Sequence, residues 1–249
     1  MKSLIVVKFG GSLTKNPKAQ KKFLKELSKI SQKQRVILVH GGGPEINLLL
    51  EKFFIKNKFV NGLRFTNEKV LSVAEMVLSG KVNKSLVAGL LKNNVKAVGI
   101  SAKDANSVIC KQVKSLGFVG EPVKVNKKLI EVLLKENFLP VVASIACDSN
   151  ANSLNVNADI LASAIASAFK AQKLIFLTDV CGILNKDKKT IKEIRAKNIN
   201  SLIKDKTIIN GMIPKVQACL NSLKKGVREV WIVDGAKGIT AMQGTVIKK

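Results

Sequence analysis

The sequence predicts an α/β chain: a central, mostly parallel sheet with helices on both faces, a three-layer αβα sandwich. Three observations carry this. Short apolar runs rich in Val, Ile and Leu alternate with longer segments of helical period. Several runs end in small polar residues or glycine and feed straight into a helix, most plainly Val36-Ile-Leu-Val-His-Gly-Gly-Gly-Pro-Glu-Ile-Asn47. Finally, 46% apolar residues in a chain of 249 suffice for a large core, while no segment reaches the length of a membrane span. Alternation of this kind favours parallel strands joined by helical crossovers, with ligands at the carboxyl ends of the strands.

Leu4–Phe9 reads as the first strand and Gly10-Gly11-Ser12 as its turn. Lys15 to Ile30 carries a lysine-rich helical pattern. Val36–Val39 is the second strand, followed by the triple-glycine loop and a helix to about Phe54. Asn61–Asn67 reads as a polar loop with one arginine among apolar neighbours. Glu68 to Leu91 reads as one long helix, with Val70, Val73, Ala74 and Val77 on its apolar face. Ala97–Ile100 is a strand leading to Ser101-Ala-Lys-Asp104, and Gly117–Val125 has the alternation of a hairpin edge. Lys127–Lys135 is a helix and Phe138–Ala143 a buried strand. Polar residues gather over Cys147–Asp159 before a small-residue helix, Ile160–Phe169. Leu174–Leu177 is a strand ending in Thr178-Asp179. Pro214 suits a first helical turn, which puts Lys215 at the start of the helix Val216–Leu223. Glu229–Val233 is a strand, and Gly244–Ile247 is expected to close the sheet.

The formal charge of +26 points first to nucleic acid or membrane surfaces. Its distribution argues otherwise. Only Arg35, Arg64, Arg195 and Arg228 are arginines, the lysines are scattered over the whole length, and aromatic residues make up only 4%. Specific phosphate and base recognition favours arginine forks and stacking rings. A solvated lysine-rich surface, with no specific nucleic-acid partner and no membrane, is the expectation. Cys110, Cys147, Cys181 and Cys219 are widely spaced and accompanied by a single histidine, which argues against zinc sites and a disulfide framework. All four are expected to be small core residues of a cytoplasmic protein. The apolar run at the amino end is broken by Lys8, too early for a signal peptide.

Four loops carry the candidate chemistry: Lys8-Phe-Gly-Gly11, His40-Gly-Gly-Gly43, Asn155-Val-Asn-Ala-Asp159 and Gly211 to Lys215. Two lysines, two glycine loops and one carboxylate suit phosphoryl transfer, which needs positioning and positive charge on the developing equatorial oxygens. No P-loop, protein-kinase or Rossmann pattern occurs. A hydrolase triad is also excluded, since His40 has no nucleophile elbow to serve. His40 reads instead as a structural residue at a strand end. A carboxylate acceptor is already ionised at neutral pH, so an enzyme making an acyl phosphate needs no general base.

Lys8-Phe-Gly-Gly, His40-Gly-Gly-Gly-Pro-Glu-Ile-Asn47 and Gly62-Leu-Arg-Phe-Thr66 resemble the amino acid kinase superfamily. Glu75-Met-Val-Leu-Ser-Gly-Lys-Val-Asn-Lys84, Asn155-Val-Asn-Ala-Asp159, Leu177-Thr-Asp-Val180 and Gly211-Met-Ile-Pro-Lys215 extend the match through nearly the whole chain. Within the superfamily the set is similar to the N-acetylglutamate kinases. The resemblance implies phosphorylation of the side-chain carboxylate of N-acetyl-L-glutamate by ATP, the second step of arginine biosynthesis. It also implies Mg2+ carried on the nucleotide phosphates, and a homodimer joined through the Glu68–Leu91 helix. A kinase of the same fold acting on another acid, or a non-catalytic anion binder, are the alternatives.

Carried over, Lys8 and Lys215 flank the transferring group, with Asp159 orienting both. Gly10, Gly11, Gly42 and Gly43 supply N–H donors to phosphate and substrate. Arg64 pairs with the α-carboxylate through its planar fork, and Asn155 holds the substrate. Thr178, Asp179, Gly211 and Met212 fall on the nucleotide side. Asp159 has a second reading as a helix cap, and Asp179 as a loop cap. Residues 1–170 are expected to hold the amino-acid substrate and dimer contact, and 171–249 the nucleotide. The chain departs from the family in three places. Ala102-Lys-Asp-Ala105 replaces Gly-Lys-Asp-Gly, Asn210-Gly211 replaces paired glycines, and Ala236-Lys-Gly-Ile replaces a segment with arginine and histidine.

Overall fold

The computed structural model of the chain describes residues 2–10, 13, 16–209 and 212–249. An eight-stranded sheet forms the centre. From one edge it runs β12 (Glu193–Arg195), β14 (Gly244–Lys248), β13 (Glu229–Asp234), β11 (Lys173–Thr178), β1 (Leu4–Phe9), β2 (Arg35–His40), β8 (Leu139–Ala143) and β5 (Ala97–Ser101). The strands from β13 to β5 are mutually parallel, whereas β14 runs antiparallel to β13 and β12 shares its direction. The chain moves from β1 to β2 on one side and returns much later to β11 on the other. Such a switch point opens a crevice at the carboxyl end of β1.

Side chains alternate across each strand, which divides the core in two. Ile5, Val7 and Phe9 face α1 (Pro17–Lys33), α2 (Gly43–Lys52), α3 (Glu68–Glu75) and α4 (Asn83–Leu91). Leu4 and Val6 face α5 (Lys128–Lys135), α6 (Ala158–Ala168), α7 (Ile199–Lys204) and α8 (Met212–Lys224). Burial on both faces explains why these strands read as unbroken apolar runs. Asparagines start three of the helices: Asn16 accepts from Ala19 N, Asn67 from Val70 N, and Asn157 from Asp159 N and Ile160 N. The helix expected over Glu68–Leu91 has that extent, but Met76–Val82 within it winds as a π-helix between α3 and α4.

The structure corrects several expectations. A second sheet, in the order β10 (Ser153–Asn155), β9 (Ile145–Cys147), β6 (Val108–Gln112), β7 (Gly120–Val125), stands where only one hairpin edge was legible. The polar loop after residue 58 is a small hairpin, β3 (Phe59–Val60) with β4 (Leu63–Arg64). Strands of two or three residues are too short for alternation to register. Gly244–Lys248 does not close the sheet, because β12 pairs along its outer edge. Cys110, Cys147 and Cys219 are core residues, but Cys181 is exposed. The turn at Gly11-Ser12 and the helix start at Lys15 lie outside the described residues. Among the described residues no helix is long and apolar enough to cross a membrane.

Candidate active site

Lys8 lies on β1 in register with Leu4 and Val6, so it points to the face covered by α6 and α8. Both helices bring their first turns to the carboxyl end of the sheet. Asp159 is the second residue of α6 and Lys215 the fourth of α8. The three side chains meet there: Lys8 Nζ stands 2.9 Å from Asp159 Oδ1, and Lys215 Nζ donates to Oδ2 at 2.9 Å. Lys215 Nζ also sits 5.6 Å from the centre of the Phe176 ring, which closes the site from below. Burial of Asp159 works against its charge, but the two ammonium groups outweigh it and hold its pKa at about 2. The carboxylate does not cap α6, since Asn157 does so. At neutral pH it is an ionised clamp on two cations and cannot accept a proton.

A cavity of about 250 Å³ opens beside this triad, and Lys8 and Asp159 form part of its wall. Gly42, Gly43, Arg64 and Asn155 also line it. The glycine loop crosses it closely: a Cβ on Gly42 would come within 2.9 Å of Leu78 and 3.1 Å of Val82, on the π-helical turn. Gly42 precedes α2, so the loop presents the unpaired N–H groups of a helix start. Gly10 is equally constrained, since a Cβ there would lie 2.6 Å from the Leu177 carbonyl oxygen.

Arg64 closes the far end from the β3–β4 hairpin. Its guanidinium donates to the side chains of Asn57 and Asn47 and, at 3.3 Å, to the Gly43 carbonyl, and it stacks 4.8 Å over the Phe59 ring. Asn155 Nδ2 donates to Thr66 Oγ1, which donates to the Arg64 carbonyl. The hairpin and β10 thus hold one another. Asn47, Asn57 and Thr66 were not singled out in the sequence. Asn47 and Thr66 stand inside the motifs His40–Asn47 and Gly62–Thr66, but nothing in the sequence marks Asn57.

The residues expected on the nucleotide side are not gathered into this cavity. Thr178 ends β11, next to β1, and its hydroxyl donates to Asp179, which is exposed. Met212 begins α8 and packs against the core. Gly11 and Gly211 lie outside the described residues. A larger hollow of about 710 Å³ lies at the opposite, amino-terminal ends of the strands, bordered by Arg35, Lys127, Lys135 and Arg228. It has no glycine loop, and its one carboxylate, Glu131, is exposed and paired with Lys127 alone. The loop Ala102–Ala105 accommodates its two alanines differently. Ala102 is buried in the core, whereas Ala105 adopts a left-handed backbone at φ 50°. Asp104 holds the turn by accepting from Ser101 N at 2.7 Å.

The amino acid kinase family model matches residues 3–234. The chain belongs to the amino acid kinase family. Among curated relatives of this amino acid kinase, an acetylglutamate kinase of Endomicrobium trichonymphae is 65% identical over 249 residues, covering all of both chains. Among solved structures, smu.665 of Streptococcus mutans UA159 superposes with a TM-score of 0.86 at 30% identity, covering 100% of this chain and 99% of that one. A carbamate kinase of Giardia lamblia bound to AMP-PNP reaches 0.73 at 17% identity, covering 100% and 99%, a likeness of fold alone. The mostly parallel sheet with helices on both faces is the fold of this amino acid kinase family.

Proposed function

We infer that the chain transfers the γ-phosphoryl group of ATP to the side-chain carboxylate of N-acetyl-L-glutamate, yielding N-acetyl-L-glutamyl 5-phosphate and ADP in arginine biosynthesis. The observation that carries the mechanism is the Lys8–Asp159–Lys215 clamp beside a glycine-lined cavity with an arginine at its far end. The 65% identity to an acetylglutamate kinase supports the choice of acid.

In this reading Arg64 receives the α-carboxylate and Asn155 holds the substrate, so that the side-chain carboxylate is aimed at Lys8. The carboxylate oxygen attacks the γ-phosphorus while the bond to the bridging oxygen breaks and ADP departs. Lys8 and Lys215 neutralise charge on opposite sides of the moving group. The N–H groups at Gly10, Gly11, Gly42 and Gly43 serve its oxygens. No proton moves. Thr178, Asp179, Gly211 and Met212 border the nucleotide, so residues 171–249 form the nucleotide lobe and 1–170 the substrate and dimer lobe. No three His, Cys, Asp or Glu side chains converge as a metal cage among the described residues, and Asp159 is already engaged by two lysines. Magnesium therefore fits as an ion that enters on the nucleotide phosphates and supplies further positive charge there. The exposed Met76 and Leu91 on the Glu68–Leu91 helix suit a homodimer contact. The unpaired cysteines suit the cytoplasm.

The test is acyl phosphate formation, trapped as hydroxamate, with ATP and magnesium. N-acetylglutamate should turn over far faster than glutamate, aminoadipate or carbamate. Preference for one of the others would replace the substrate, and no turnover with any acid would remove the kinase reading.

A further inference from the structure

The only histidine of the chain sits immediately before the glycine loop, and the transfer step above has no use for it. His40 is fully buried. Its Nδ1 lies 3.0 Å from the carbonyl oxygen of Gly41, the next residue, and its Nε2 lies 3.1 Å from Asn83 Nδ2. A carbonyl only accepts and an amide nitrogen only donates, so this pair of contacts is satisfied by one form of the ring: neutral, with the proton on Nδ1. The orientation of the Asn83 amide is fixed independently. Its two Nδ2 protons are shared among the ring and the carbonyls of Val141, at 2.9 Å, and Ile100, at 3.2 Å, and Lys84 Nζ donates to its Oδ1 at 3.2 Å. Turning the amide over would set an oxygen against two carbonyls.

This chain of bonds ends on a peptide of the candidate site. In a trans peptide the C=O and the following N–H point in opposite directions. With the Gly41 carbonyl drawn toward the imidazole, the Gly42 N–H is turned away from it. Asn83 itself begins α4, directly after the π-helical turn Met76–Val82, whose Leu78 and Val82 leave no room for a Cβ at Gly42. Local π-helical winding is rare and recurs at functional sites. Strand and helix therefore converge on the same peptide from two sides, one by hydrogen bonds and one by packing.

We propose that Asn83 and His40 are positioning residues: together they lock the Gly41–Gly42 peptide so that its N–H is held ready for an oxygen of the transferring phosphoryl group. The proposal rests on the kinase reading for the identity of that oxygen. His40 neither touches substrate nor exchanges a proton. Burial, assisted by the charge of Lys84, keeps the ring neutral and pulls its pKa down to about 4.

Because the chain has one histidine, a two-bond 1H–15N spectrum of the uniformly labelled protein reports His40 alone. The expected result, without any substrate, is the Nδ1–H tautomer, unchanged from pH 8 to pH 5. An Nε2–H tautomer, or a midpoint near the ordinary 6.5, would overturn the hydrogen-bond assignment whether or not the protein is a kinase. For the role itself, Asn83→Ala and His40→Gln are assayed well below their melting temperatures. The expectation is a fall in kcat of about 10–100-fold, as for other outer-shell partners, with KM for both substrates within about 2-fold, as when an interaction special to the transition state is lost. In Asn83→Ala the remaining histidine should also lose its single-tautomer signature. Unchanged kcat in folded variants would reduce the pair to a structural contact. Should His40→Gln fail to fold, Asn83→Ala and the wild-type spectrum still decide the matter.

Discussion

Lys8 and Lys215, from the first strand and one of the last helices, hold opposite oxygens of the same carboxylate at equal distances of 2.9 Å. Two ammonium groups brought this close would repel without Asp159 between them. With it, they form a fixed pair of positive charges whose spacing is set before any phosphate arrives. Preorganised charge of this kind has its effect in the transition state, where negative charge spreads over the moving group.

Removing either ammonium should therefore act on turnover. Lys8→Ala and Lys215→Ala are each expected to lower kcat by ~10²–10³, the loss seen when one preorganised donor is deleted. Steady-state kinetics with saturating N-acetylglutamate and ATP measure this. Near-normal kcat in both variants would remove the clamp from the reaction.

The carboxylate between them sets an acid limit on stability. Its pKa is about 2 in the folded protein against an ordinary 3.8. A depressed carboxylate pKa stabilises the fold above the unfolded value, and that contribution disappears as pH falls through the folded one. Between pH 4 and pH 2 the protein should thus lose roughly 2 kcal/mol from this group alone. Asp159→Asn should lack this component. It should also be less stable at pH 7, because its two lysines are left without a counter-charge. Urea unfolding at several pH values compares the two proteins, and identical pH profiles would contradict the assignment.

Arg64 calls for a different signature. An α-carboxylate carries the same charge before and during phosphoryl transfer, so its partner binds ground state and transition state alike. Arg64→Ala should raise KM for N-acetylglutamate with little change in kcat. Arg64→Lys should fail to restore it, because a lysine cannot reproduce the fork that meets Asn57, Asn47 and Gly43 while lying over Phe59. A loss confined to kcat would place Arg64 at the reacting end instead.

What could be read from the sequence follows from length and period. β1, β2, β8, β11 and β13 are buried on both faces and long enough for their apolar runs to stand out. The second sheet is built from strands such as Ile145–Cys147 and Ser153–Asn155, in which three residues carry no measurable alternation. The site was legible as separate loops with glycine, lysine and aspartate. Their meeting was not, because Lys8 finds Asp159 only through strand alternation combined with two crossovers. The resemblance to a family named the partners. The roles of Asn47, Asn57 and Asn83, which act through other side chains, left no mark in spacing or composition.

Ala105 offers a test of backbone strain where the family has glycine. It holds φ 50° and ψ 30° on an exposed turn, a region where a Cβ costs energy and glycine does not. Glycine also gives back some unfolded-state entropy, which offsets part of the gain. Ala105→Gly should still stabilise the fold by ~0.5–1 kcal/mol, a rise of about 1–3 °C in Tm for a domain of this size. A lower Tm would mean that the turn is not left-handed in solution.

The cysteines differ in access, and their reactivity should follow it. Cys110, Cys147 and Cys219 are buried in the core, where the first has its pKa pushed up to about 12, mainly by burial. Thiolate is the reacting form, so these three are protected twice, by sterics and by protonation. Cys181 is exposed on the loop after β11, with its thiol 3.3 Å from Asp234 Oδ2. An aromatic disulfide reagent at pH 8 should modify one thiol quickly in the native protein, and the remaining three only on unfolding. Cys181→Ser should abolish the fast phase. A fast phase that survives this substitution would show that one of the core thiols opens to solvent in the native state.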